Sequence, residues 1–438
     1  MVLEETRRAV TPFGGLVVLI ELMRRMRLLE AVRERLPFEY RSNNSSRPEN
    51  ILLAYLLGVA AGARRFSHLQ MLRADRALQA LCGVCAFPSD DTVRNFFGRF
   101  RAGEVHAFFP PLWQWFFARL PGRECTLDLD STVLQRYGRQ EGAVHGYNPT
   151  RPKGRMHRPL LAFVSSPVFV LHAWLRSGSA SDNRGAIEFL NEAFGILPAS
   201  WRITAVRADG AFFDQKLLEF LEERDLPYVV VVRRKETIQE QIHRIEDWRA
   251  VDPDTAVAEF VLQMPAWSKP RRFVVTRHRL PDPKYRRLLD VPGYDFRVFV
   301  TSRTEPAEWI WHHYDKRAAI EPRFSELKED LAADNFCLRR FFPTEAAFRS
   351  VLLLFNLLSL LQSLHPDRSA VQARPASLRS SLFTCGAIAG RSGHKFVLFL
   401  SQAWGGLASR KPLLDTILHT AFPTSPKLNS NAATAPPY

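Results

Sequence analysis

Apolar positions in the first 120 residues recur at intervals of three and four. The run LVVLIELMRRMRLLEAVRERL puts its hydrophobic side chains on one helical stripe, and the stretches 51–61 and 67–81 repeat the pattern. A further helix is predicted from PSDDT, where Ser89 is suited to cap it and Asp90 and Asp91 fall in its first turn. Near Cys125 the period changes. TLDLDSTVL alternates apolar and polar residues as a strand does, LLAFVSS and VFVLHAWLR read as a hairpin around Ser166-Pro167, and 183–194 reads as a helix. ITAVRAD is a predicted strand, 214–223 a helix and YVVVVRR a buried strand. The order β, β, β, α, β, α, β describes a mixed α/β core. AEFVLQM, RRFVVTRH and FRVFVTSR then supply strands of an inserted β-rich module, and helices are predicted from Pro306 to about Phe422. The final PTSPKLNSNAATAPPY has no apolar period and reads as a disordered tail. The predicted organisation is a helical region at 1–120, α/β core at 121–233, β-rich insertion at 234–305, helices at 306–422 and a tail at 423–438.

Composition narrows the class. At 438 residues and 46% hydrophobic, the chain can bury a core of ordinary size, which excludes general disorder. The longest apolar runs, 160–174 and 351–364, are interrupted by Ser165, Ser166 and Pro167 and by Asn356 and Ser359. Both are shorter than the ~20 residues of a membrane-spanning helix. MVLEETRRAV has acids where a signal peptide carries bases, so a cytoplasmic location with no membrane partner is expected. Cys82, Cys85, Cys125, Cys337 and Cys385 form an odd, scattered set, and the one C-x-x-C lacks a second pair at zinc-site spacing. Against 45 acids stand 60 Lys and Arg, a net charge of +15. This suits a polyanion partner, or a solvated basic surface. All 17 bases of residues 1–120 are Arg, and Arg64, Arg65, Arg73, Arg76, Arg94, Arg99 and Arg101 lie on or beside the later helices. A helix-turn-helix-like DNA reader and a plain bundle with basic faces both fit.

Three places could carry chemistry. Asp128 and Asp130 share one side of a strand that otherwise reads as buried, where acids are costly without a role or a partner. Asp209 ends ITAVRAD and precedes Gly210, at the C-terminal strand end where open α/β sheets bind ligands. In HHYDKRAAIEPRFSELKEDL, Tyr314, Arg317, Glu321 and Lys328 are spaced Y-x2-R-x3-E-x6-K. At about 100° per residue they fall within an arc of roughly 60°. Pro322 requires the helix either to start near Glu321 or to bend there. Residues 136–158 hold six Lys and Arg, including Arg151, Lys153 and Arg155, against one acid, with His157 and Tyr137 among them. Four glycines mark this stretch as a loop that reaches towards Asp130, to touch phosphate or simply to be solvated.

The Y-x2-R-x3-E-x6-K spacing resembles the YREK signature of bacterial insertion-sequence transposases with a DDE triad. DLDST at 128–132, HRPLL at 157–161, GSASDNRG at 178–185 and RADGAFF at 207–213 are most similar to the insertion sequence 1380 group. The resemblance covers most of residues 10–365. It implies an RNase H-like catalytic core with a β-rich insertion, flanked by an N-terminal DNA-binding region and C-terminal helices. It makes Asp130, Asp209 and Glu321 the catalytic and metal-binding acids, with two Mg²⁺ ions as cofactor and Mn²⁺ able to substitute. Tyr314, Arg317, Lys328, Arg151, Lys153, Arg155 and His157 become DNA contacts, and Asp128 a supporting acid or an alternative first ligand. The implied activity is metal-dependent cleavage at element ends followed by strand transfer, in cut-and-paste transposition. The implied partners are inverted-repeat and target DNA, bound by a homodimer. A catalytically silent DNA-binding regulator and an RNase H-like nuclease without strand transfer are the alternatives. ADGAF and Pro322 depart from the usual pattern, which bears on the geometry of the last helix.

Overall fold

The structure, a computed structural model, describes residues 1–423 apart from 40–45, 147–153, 166, 182, 234, 281–292 and 368–372. Arg151 and Lys153, the centre of the Ser166-Pro167 turn and nearly all of the predicted tail therefore lie outside the described residues.

A nine-stranded mixed sheet forms the centre. Its strands are β1 (Glu124–Ser131), β2 (Leu160–Val164), β3 (Phe169–Trp174), β4 (Arg202–Ala208), β5 (Tyr228–Val231), β6 (Arg249–Ala250), β7 (Thr255–Leu262), β8 (Arg271–Arg279) and β9 (Tyr294–Thr301), in the order β6-β7-β8-β9-β5-β4-β1-β2-β3. β1, β2 and β3 are antiparallel neighbours; β4 runs parallel to β1, and β5 parallel to β4. Helices Ala186–Ile196 and Gln215–Glu222 provide the crossovers. The strands of 234–305 do not stand apart as a separate module. β9 pairs antiparallel with β5, Phe299 opposite Val231, and β8, β7 and β6 continue the same sheet outward.

The helices of the first 120 residues pack on this sheet through one continuous hydrophobic core, which Leu19, Leu56, Phe97 and Trp113 share with Leu127, Phe163 and Val206. Helix Asp90–Gly98 starts as predicted, with the Thr92 amide donating to Ser89 Oγ at 3.2 Å. The predicted helix over 67–81 is instead broken into a 3₁₀ turn at Phe66–Leu69 and two short helices, Gln70–Arg73 and Arg76–Cys82. Asp75 accounts for the break. Its carboxylate accepts from the Leu78 amide at 2.8 Å and caps the second helix, a bond that an uninterrupted helix would forbid.

Two elements depart from the helical expectation for 306–422. Ala387–Ser392 and Lys395–Leu400 form a hairpin that joins Ala9–Thr11 in a three-stranded sheet, with Gly393 at φ +60° in the turn. The apolar run near 351–364 belongs to a 23-residue helix, Phe341–Ser363. By length and composition this helix could cross a membrane, but 94% of its apolar window is buried inside the fold. Its polar residues serve the sheet edge. Asn356 accepts from the Val170 amide at 2.8 Å and donates to the Val170 carbonyl at 2.7 Å, satisfying groups of β3 that have no strand beside them.

Candidate active site

The parallel register of β1 and β4 places Leu129 opposite Ala208, so Asp130 and Asp209 emerge side by side from adjacent strand ends. Asp209 Oδ1 accepts from the Ala211 amide at 2.9 Å and caps the 3₁₀ turn Gly210–Phe212. Asp130 Oδ1 accepts from the Ser131 amide at 2.7 Å, and its Oδ2 lies 2.6 Å from Arg317 Nη2. Burial and the neighbouring Asp209 charge push the Asp130 carboxyl up, against the pull of Arg317, to about 6. Burial thus disfavours the charged form of Asp130 by more than Arg317 restores it.

The segment carrying the Y-R-E-K residues is irregular. An α-helix at Ala307–Asp315 passes into a 3₁₀ turn at Lys316–Ile320, a short α-helix at Glu321–Ser325 and a π turn at Glu326–Asp330. Pro322 sits in the first turn of the short α-helix, where its missing N–H is no loss. The 3₁₀ turn alters the predicted arc. In an α-helix Arg317 and Glu321 differ by about 40°; at three residues per turn the difference is about 120°. Arg317 accordingly lies buried against Asp130 and the Leu129 carbonyl, whereas Glu321 is exposed. No three acids converge as a metal site among the described residues.

Tyr314 is buried in a satellite cluster, its ring 4.9 Å from that of Phe299, and burial pushes its phenol up to about 12. Arg317 lies over that ring at 5.9 Å. Lys328 is half-buried, and burial holds its ammonium below its ordinary value although Asp334, Asp130 and Glu329 favour the charge. Lys328 and Arg317 thus both act electrostatically on Asp130.

Over residues 1–419 the chain matches the family described as Transposase DDE domain group 1. The chain belongs to this family of DDE transposases. No curated protein matches it. Among solved structures the transposase is similar to piggyBac transposase, seen in a synaptic complex with hairpin DNA. That similarity runs at 14% identity, with a TM-score of 0.44, over 86% of this chain and 83% of the other.

Part of the basic loop of the transposase is folded. Leu134–Arg136, Arg155–His157 and Val144–His145 make a small antiparallel sheet. The half-buried Arg155 donates to the Ala143 carbonyl at 3.2 Å and braces that sheet. His157, expected at a phosphate, is instead fully buried. Its Nδ1 accepts from Arg136 Nε at 3.0 Å, which leaves Nε2 to donate to the Glu141 carbonyl at 2.9 Å. Burial and Arg136 push the imidazole down to about 4, so it is a neutral structural group. Cys82, of the C-x-x-C, is a half-buried free thiol that burial pushes up to about 12.

Arg207 is a further residue of the site, absent from the sequence expectations. Register sets it beside Asp128, to whose carboxylate it donates twice, at 2.6 and 2.7 Å, while its Nη1 donates to the His313 carbonyl at 2.5 Å. Asp128 therefore has an ion-pair partner of its own. The signal was available: Arg207 precedes Asp209 by two in a strand, hence on the same face, and a cation in an apolar strand needs an acid.

Proposed function

We propose that this transposase moves DNA by cut-and-paste transposition, as a member of the insertion sequence 1380 group, with an RNase H-like core in which Asp130, Asp209 and Glu321 are the catalytic and metal-binding acids. The observation that carries the reading is the pair of carboxylates at adjacent parallel strand ends, flanked by Arg317 and Lys328. The pair fits a hard divalent cation, because its donors are all oxygen and the raised Asp130 carboxyl marks a place that gains from added positive charge. Mg²⁺, with Mn²⁺ as a substitute, supplies activation of an attacking oxygen and stabilisation of a leaving one when two ions are bound.

The chain's own residues do the rest. Arg317 neutralises Asp130 in the free protein and passes to a DNA phosphate when the acid takes up a cation. Lys328 adds a point charge beside it. Tyr314 acts through packing under Arg317. Glu321 completes the acid set by a rotation of about 80° in the 3₁₀ turn that precedes it, which returns the segment to regular helix geometry. Trp309, 38% exposed on the same helical segment, has His313 stacked on its ring and Arg303 4.6 Å over it, and a displaced base would take the place of one of them. The partners are inverted-repeat ends and target DNA, bridged by a homodimer in the bacterial cytoplasm.

Asp209→Ala is the direct test. With Mg²⁺ and a DNA substrate carrying the inverted repeats that flank the gene, the variant loses cleavage by at least 10³-fold, in the range seen when a catalytic group is removed (roughly 10³–10⁶). Undiminished cleavage overturns the assignment and leaves a silent DNA-binding regulator. Native cleavage without joining of a pre-cut 3′-hydroxyl end to target DNA instead identifies a nuclease.

A further inference from the structure

Away from the strand-end acids, three chain segments meet around a cavity of about 540 Å³ lined by Arg94, Arg139, Gln140, Cys337, Leu338 and Arg339. We infer that this cavity is a second DNA-backbone seat, in which Arg94, Arg139 and Arg339 hold phosphates of the strand that also reaches Asp130 and Asp209. The inference rests on the transposase reading, and it joins Arg94 of the N-terminal helices, Arg139 of the basic loop and Arg339 into one seat.

The charge is one-sided: three guanidiniums and no carboxylate line the cavity. All three Arg residues are exposed, so they can reach a ligand without first being desolvated. Their bases are firm. Arg94 stands on helix Asp90–Gly98, lies 5.1 Å over the Phe66 ring and has Asp90 at 3.6 Å, a solvent-screened pair that yields readily to phosphate. Arg339 and the Arg139 loop are tied together, because the Glu141 amide donates to the Arg339 carbonyl at 2.9 Å and Glu141 Oε2 accepts from the Phe341 amide at 2.9 Å. Gln140 Nε2 meets Cys337 Sγ at 3.5 Å, while its buried Oε1 has no partner. Guanidinium forks on fixed supports suit the phosphodiester backbone, which they read without regard to sequence.

The location gives the seat its purpose. Arg139 follows shortly after Asp130 in the chain, through Leu134–Arg136, and Arg339 follows shortly after Lys328, whereas Arg94 belongs to the N-terminal helices. Arg136 reaches from the small sheet to the Asp334 carbonyl, and Asp334 in turn supports the charge of Lys328. The cavity's Arg139 and Cys337 thus follow closely in the chain on Arg136 and Asp334, the groups that lead through Lys328 to Asp130. DNA seated here would bridge the N-terminal helices and the catalytic sheet, so that binding and cutting share one strand path.

The test uses the full chain and a labelled 40-base-pair duplex of arbitrary sequence, titrated from low to moderate NaCl. Each phosphate contact contributes about 0.9 to the slope of log K against log salt. Arg94→Ala/Arg139→Ala/Arg339→Ala is expected to shallow that slope by about two to three and to weaken binding at low salt by more than tenfold. R94K/R139K/R339K, which keeps three cations, should retain most of the native slope and controls for a folding defect in the alanine form. A folded alanine variant with the native slope overturns the seat, as does a lysine variant that loses as much slope as the alanine one. Loss of cleavage in Asp209→Ala beside an unaltered triple-alanine slope defeats the seat alone, and the converse pattern defeats the acid assignment alone.

Discussion

Asp128 and Arg207 are each almost wholly buried, and each leaves the other with no alternative counter-ion on its own strand. Burial raises the Asp128 carboxyl, and Arg207 and Arg317 draw it back towards the ionised form. The guanidinium also grips the last turn of Ala307–Asp315 through the His313 carbonyl, so the same pair fixes how the segment bearing Arg317 lies on the sheet. Breaking a buried pair by removing one partner strands a charge, at a cost of about 3–5 kcal/mol, whereas replacing both with apolar groups can be neutral. Arg207→Met should therefore lower stability by about that amount in urea unfolding, and Asp128→Leu/Arg207→Met should recover much of the loss. Single variants within about 1 kcal/mol of the native protein would show that the pair does not hold the segment. The partnership was half legible from residue types. A buried Arg demands an acid, but which acid depends on a parallel register that no local pattern specifies.

Among the elements, those ruled by hydrophobic period came out of the sequence well. β1 to β5 with their two crossover helices follow the predicted order, and Ser89 caps the helix expected of it. What escaped has a physical reason in each case. The Ala387–Leu400 hairpin is short and contains small residues, so its alternation is weak, and its partner Ala9–Thr11 comes from the far end of the chain. A helical wheel misplaces Glu321 because it assumes a constant turn, and the 3₁₀ stretch Lys316–Ile320 does not keep it. Pro322 drew attention as the suspected cause of a bend, yet the irregular turn precedes it and Pro322 itself occupies a favourable first-turn position. Pro322→Ala is thus expected to change the unfolding free energy by less than about 1 kcal/mol, well below the ~3 kcal/mol scale of a proline forced into a helix interior. A gain of 3 kcal/mol or more in urea unfolding would mean that the proline was straining the segment after all.

For the whole molecule, the balance of buried titratable groups sets how the fold responds to acid. His157 and His172 lie in different parts of the structure, both fully buried, and both are pushed down to about 4, chiefly by burial; for His172 this outweighs its bond to Glu192 at 2.9 Å. An unfolded histidine takes up a proton near pH 6.5. Between about pH 6.5 and 4 the unfolded chain therefore binds protons that these two sites refuse, so their contribution is complete above 6.5 and is lost as the pH falls. Each accounts for up to about 3 kcal/mol, and the pair is comparable with the whole stability of many domains, roughly 5–15 kcal/mol. Asp130 works in the opposite sense. Its carboxyl, raised to about 6, takes a proton in the fold before it would in the unfolded chain, so acid relieves it and offsets part of one histidine. His313, pushed down to about 4 chiefly by burial, joins the histidine side, while Asp75, Asp128, Glu326 and Asp334, raised by burial, join that of Asp130. The histidine share of the urea midpoint, measured in the presence of a chelator, should fall from pH 7 to 4.5. His157→Gln, which keeps a neutral hydrogen-bonding side chain and cannot titrate, should flatten that fall by roughly the share of one histidine. If its pH dependence instead matches that of the native protein, His157 is not held neutral, and the bond from Arg136 that fixes its tautomer is wrongly assigned.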